Sequence, residues 1–125
     1  MNKSIYNNIG LLLLRIGFGG VMLTHGMPKL QKILAGDFSF GDPIGIGSTA
    51  SLILAVLCEV LFPIIVIIGF KTRLSAIPVI ITMAIAAFVV HAEDPFATKE
   101  KAILFLIGFI VIALLGAGKF SVDKK

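Results

Sequence analysis

The stretch from Leu11 to Lys29, reading LLLLRIGFGGVMLTHGMPK, constrains this chain more than any other. It is apolar enough to enter a bilayer, yet it carries Arg15 in its first half and His25 and Lys29 at its far end. An arginine at bilayer depth costs at least about 2.5 kcal/mol, so it needs a partner and a reason to be there. Any fold open to this sequence must supply counterparts for those three side chains.

Composition supports the membrane reading. The 125 residues are 58% hydrophobic and only 14% charged, with a mean hydropathy of +1.06. Soluble domains run at about 25% charged, and a water-soluble protein of this size has too little interior to hide so much apolar surface. The pI near 9.5 does not point to nucleic acid, because the basic residues sit in short segments flanking apolar runs. The lone Cys58 rules out an intramolecular disulfide or a CxxC redox motif. It reads as small-residue packing.

Four apolar segments follow in order, at about 9–34, 48–70, 74–91 and 99–117. Each is close to the ~17–25 residues a helix needs to cross a bilayer. Arg15 breaks the apolar run that a cleavable signal peptide would need, so the first segment is expected to be retained. Pro28 is expected to disturb that helix near Thr24 and His25. Ser48 and Thr98 are the expected N-caps of the second and fourth helices. The expected fold is a single all-α domain, a transmembrane four-helix bundle with up-down-up-down topology. Lys3, Lys71, Arg73, Lys119, Lys124 and Lys125 gather on one side. Lys29, Lys32, Lys99 and Lys101 mix with five acids on the other. The positive-inside bias puts both termini in the cytoplasm.

Two polar constellations result. Arg15 lies roughly 9 Å from the start of its apolar run and Glu59 roughly 16 Å from the same side at ~1.5 Å per residue. No other pair of opposite charges lies within the apolar spans, so a buried Arg15–Glu59 ion pair is expected. At ~100° per residue, Arg15, His25 and Lys29 share an arc of about 80°, a polar stripe along helix one. His91 ends helix three on the outer side and is followed by Glu93 and Asp94. His25, Lys29, His91, Glu93 and Asp94 are therefore the candidate ligand-binding residues, with helices three and four otherwise as scaffold. A quinone carbonyl needs a donor such as His in an apolar slot; facing histidines could instead ligate haem iron, or His with a carboxylate a metal. No spacing selects among these, and interfacial capping is the bland alternative for both histidines. Gly17, Gly19 and Gly20 form a small-residue patch that would admit a neighbouring helix or a second protomer.

The R-I-G-F-G-G-x-x-L-x-H-G-x-x-K run from Arg15 to Lys29 resembles the DoxX family of small bacterial four-helix membrane proteins. The C-E-V of Cys58–Val60, the G-F-K-T-R turn of Gly69–Arg73, the F-x-x-H of Phe88–His91 and the closing G-x-G-K-x-S-x-D of Gly116–Asp123 are similar to it as well. The resemblance covers essentially the whole chain. It implies kinship with the DoxD subunit associated with thiosulfate:quinone oxidoreduction, and with membrane complexes involving superoxide dismutase and a sulfurtransferase. The expectation is a multi-pass component of a redox system in the bacterial inner membrane, with quinone as the leading ligand between helices one, two and three, haem behind it, and Arg15, His25, Lys29, Glu59 and His91 as the positions to carry over. The alternative is a non-catalytic scaffold for oxidoreductase partners.

Overall fold

The computed structural model describes residues 3–124, and those residues form four helices with no strand among them. They are α1, Lys3–Leu34; α2, Ser48–Ile68; α3, Thr72–Val90; and α4, Phe96–Leu115. Helices α1 to α3 are each long and apolar enough to cross a membrane. In α4, Lys99, Glu100 and Lys101 occupy the first two turns, and the uncharged stretch begins only at Ala102.

Several boundaries differ from the sequence expectation, each for a local reason. The polar entry to α1 is helical back to Lys3, because nothing in KSIYNN breaks a helix. Pro28 sits inside α1 without ending it. Helix α2 stops at Ile68 because Gly69 adopts a left-handed φ of 81°, the usual device for terminating a helix. Ser48 is the first helical residue and Gly47 holds the N-cap position. Asp42 stands in as the cap, accepting from the N–H groups of Ile46 and Gly47 and from the Ser51 hydroxyl. Thr98 likewise lies inside α4, whose N-cap is Pro95.

Packing follows a single stripe on each helix. On α1 the buried positions are Arg15, Gly19, Met22 and Gly26, a run at i, i+4, i+7 and i+11 that keeps one face inward. On α3 they include Ala76, Val79, Met83 and Ala87, and on α4 Phe105, Gly108, Phe109 and Ile112. Phe18 from α1 fits between Phe105 and Phe109, with both centroids 6.3 Å away in edge-on geometry. The outer faces stay apolar, Leu114 being 71% exposed, as expected where lipid is the solvent.

The small-residue patch divides by role. A Cβ on Gly19 would lie 2.5 Å from the Ile67 side chain, so this glycine seats α1 against α2, while Gly17 and Gly20 have open space beside them. The closest approach to a backbone atom is at Gly26, where a Cβ would meet the Glu59 carbonyl oxygen at 2.5 Å. That carbonyl is the one Pro63 would have used had it an N–H, and α2 widens into a π-helical segment at Leu57–Leu61 just before it. Gly26→Ala is therefore expected to cost about 1–3 kcal/mol by overpacking. Gly17→Ala should be neutral or stabilising by up to about 1 kcal/mol. Thermal unfolding of both variants in detergent checks the contrast.

Candidate functional site

Arg15 is 1% exposed, and its partners are backbone carbonyls. Nε donates to Ala117 O at 3.0 Å, Nη1 to Ile67 O at 2.6 Å and Nη2 to Phe120 O at 2.5 Å. The expected Arg15–Glu59 pair does not form. The reason is register: Arg15 faces the Ile67–Gly69 end of α2, whereas Glu59 lies opposite Gly26. Those two levels of α1 are eleven residues, or about 16 Å, apart. The residues after α4 serve as more than a tail. Asp123 accepts from the N–H groups of Lys71 and Thr72 and from the Thr72 hydroxyl, capping α3, and it supplies the negative field that Arg15 feels.

Glu59 instead takes Lys29. The lysine Nζ lies 2.7 Å from both carboxylate oxygens, and the Glu59 side chain is only 5% exposed. The π-helical segment turns Glu59 toward α1, and Phe40 from the 35–47 loop lies over the ammonium, 5.8 Å from ring centroid to Nζ. This pair borders a cavity of about 790 Å³. Met22, His25 and Lys29 of α1 line it, with Leu54, Cys58 and Glu59 of α2 and Ile81, Thr82 and Ala86 of α3. Thr98, Lys101 and Phe105 of α4 and the loop residues Phe40, Pro43, Ile44 and Ile46 complete the wall together with His91.

Of the residues singled out in the sequence, His25, Lys29, Glu59 and His91 thus share one cavity, and Arg15 does not reach it. The His25 ring stands edge-on to Phe105 at 5.6 Å and makes no hydrogen bond to any described residue. His91 follows a second π-helical segment, Ala86–Val90. Its Nδ1 lies 2.7 Å from Asp94 Oδ2, which leaves Nε2 as the ring's free nitrogen. Asp94 acts through His91, and Glu93 stays outside the cavity. Lys29 finds its acid on α2. Cys58 borders the cavity, and α3 and α4 contribute wall residues beyond scaffolding. Thr98 and Lys101 were missed: in sequence they look like an ordinary polar helix start. Among the described residues no three His, Cys, Asp or Glu side chains gather as a metal-ligand set.

The 35–47 loop closes one side of the cavity and is held by its aspartates. The Ser39 hydroxyl and N–H, with Lys32, hold the Asp37 carboxyl down at about 2. The Asp42 carboxyl is also lowered, chiefly by the Gly47 N–H.

Four helices, apolar outside and enclosing a polar-tipped cavity, define a small integral membrane protein with a ligand-sized chamber. The chain belongs to the DoxX family, whose profile matches residues 10–92. It is 32% identical over 124 residues to a Bacillus subtilis protein named "Putative oxidoreductase CatD", covering 98% of this chain and 90% of that one. It is 28% identical over 135 residues to an uncharacterized Haemophilus influenzae protein, covering 99% and 96%. No solved structure matches.

Two outcomes follow. Lys29→Met leaves a buried carboxylate alone and should destabilise by about 3–5 kcal/mol, whereas Lys29→Met with Glu59→Leu should recover most of the loss; unfolding in mixed micelles measures both. The aspartates' lowered pKa values mean that the loop's anchoring is complete above the ordinary carboxylate range, near 4, and is lost as pH falls from there toward the lowered values. Asp42→Asn should mimic acid at neutral pH and speed alkylation of Cys58, timed by mass spectrometry.

Proposed function

We propose that this protein is a multi-pass component of a redox system in the bacterial inner membrane, and that its cavity holds a quinone-type ring. The cavity carries the reading: about 790 Å³ falls within the ~300–1,000 Å³ of small-molecule sites. Its walls are apolar side chains with a few convergent polar groups. The group fits the residues present. His25 offers a donor to a ring oxygen, the Nε2 of His91, whose Nδ1–H is given to Asp94, offers an acceptor to a hydroquinone hydroxyl, Phe105 and Met22 offer faces for the ring, and the Lys29–Glu59 pair gives one end a fixed dipole. A bound quinone would supply reversible two-electron, two-proton chemistry. The chain would orient the ring and exclude water from it. Kinship with a protein named as an oxidoreductase supports the redox context.

The same reading takes all four helices as crossing the bilayer up-down-up-down with both termini cytoplasmic. Lys71, Arg73, Lys119 and Lys124 at the Arg15 end support this, because bases favour the cytoplasmic face. The cavity then opens toward the outer leaflet.

The test is direct binding. Protein in nanodiscs should bind 2-methyl-1,4-naphthoquinone saturably above the partitioning seen with empty discs. His25→Ala should weaken binding about tenfold, the worth of about one hydrogen bond to a polar donor. Binding equal to empty discs overturns the reading.

A further inference from the structure

The cavity's charge is unbalanced. Its single acid, Glu59, is bound through both oxygens by Lys29. The second cation in the wall, Lys101, takes part in none of the ion pairs or side-chain hydrogen bonds among the described residues. Its neighbour Lys99 is different, since its Nζ caps the Ala92 carbonyl at 3.2 Å and lies outside the cavity. Lys101 is close enough to His25 for its field to act on that ring, along with Glu59 and Lys29. An exposed ammonium at the rim and an imidazole with uncommitted nitrogens therefore border a largely apolar chamber.

At such a rim a charge contact is screened less than in bulk water, so an anion whose ring lies in the chamber gains an attraction to Lys101 that a neutral ring of the same size does not. We propose that the cavity selects acidic ligands: an apolar ring or chain bearing one ionised oxygen, such as an enolate, phenolate or carboxylate. Lys101 holds the charge, His25 donates to a second oxygen, and the Lys29–Glu59 pair, already neutral, also borders the cavity. This assignment rests on the cavity being a ring-binding site, and it names the charge of what binds. An anionic lipid headgroup offers the same charge to Lys101, so the test must separate the two sources.

Two naphthoquinones of nearly equal size suit the purpose. At pH 7 the 2-hydroxy compound is an anion and the 2-methyl compound is neutral. Each is titrated into protein in phosphatidylcholine nanodiscs, with empty discs subtracted. The anion should bind about tenfold tighter, a preference of one charge–charge contact. Lys101→Gln should reduce that ratio to near one, while Lys99→Gln keeps it. Replacing phosphatidylcholine with phosphatidylglycerol should also leave the ratio standing. Equal affinities in the unmodified protein, or a ratio indifferent to Lys101→Gln, overturn the charge selection while leaving ring binding in place. A ratio abolished by phosphatidylglycerol assigns Lys101 to lipid headgroups and overturns it too. Failure of both compounds to bind removes the ring-binding site itself.

Discussion

The structure depends first on how a guanidinium is satisfied away from water. Among the described residues, Arg15 has no carboxylate within hydrogen-bond reach. It takes carbonyl oxygens from the last turn of α2 and from the segment that follows α4. The C-terminal ends of helices are where carbonyls lack internal partners and where the peptide dipoles leave partial negative charge. One arginine thus joins the ends of two helices and consumes acceptors that would otherwise be orphaned. Gly69 makes room for it, since any Cβ there would lie 2.8 Å from the guanidinium Nη1.

With Arg15 satisfied at one end, Glu59 is released for use at the other. The glutamate needs a cation because it is buried, and Lys29 provides it from the next turns of the same α1 stripe. The two π-helical segments matter here. Each interrupts an otherwise regular helix next to a polar residue of the cavity, Glu59 in one case and His91 in the other. A π-helical turn widens the helix and re-aims the side chains after it, and such turns often mark functional sites. Pro63 explains the first, since it leaves the Glu59 carbonyl without its usual donor. No comparable proline explains the second.

Much of the fold was legible because apolar runs of bilayer length admit few alternatives. The helices, their order and the turn at Gly69–Arg73 all follow from hydropathy and glycine chemistry. That His25, Lys29 and His91 share one site was legible from depth and helical phase, whereas Glu59, expected beside Arg15, joins them only in the structure. The ionic partners were not. Depth counted from Ile9 assumes that α1 begins there, but the helix extends back to Lys3 and its contacts set a different register. Backbone carbonyls are also invisible as arginine partners in a sequence, because every residue carries one. Lys101 escaped notice for the opposite reason: three consecutive charges at a helix start look like solvent decoration, and only the folded chain shows which of them borders the cavity.

The Arg15 clasp has a consequence for biogenesis. Its acceptors Ala117 and Phe120 lie 102 and 105 residues further along the chain. During synthesis the first helix therefore enters the membrane long before its arginine can be neutralised by them. Until then Arg15 must be sheltered by water, lipid phosphate or the insertion machinery, and α1 cannot settle at its final depth. The clasp therefore closes last: α1 is locked only once the segment after α4 has reached Arg15.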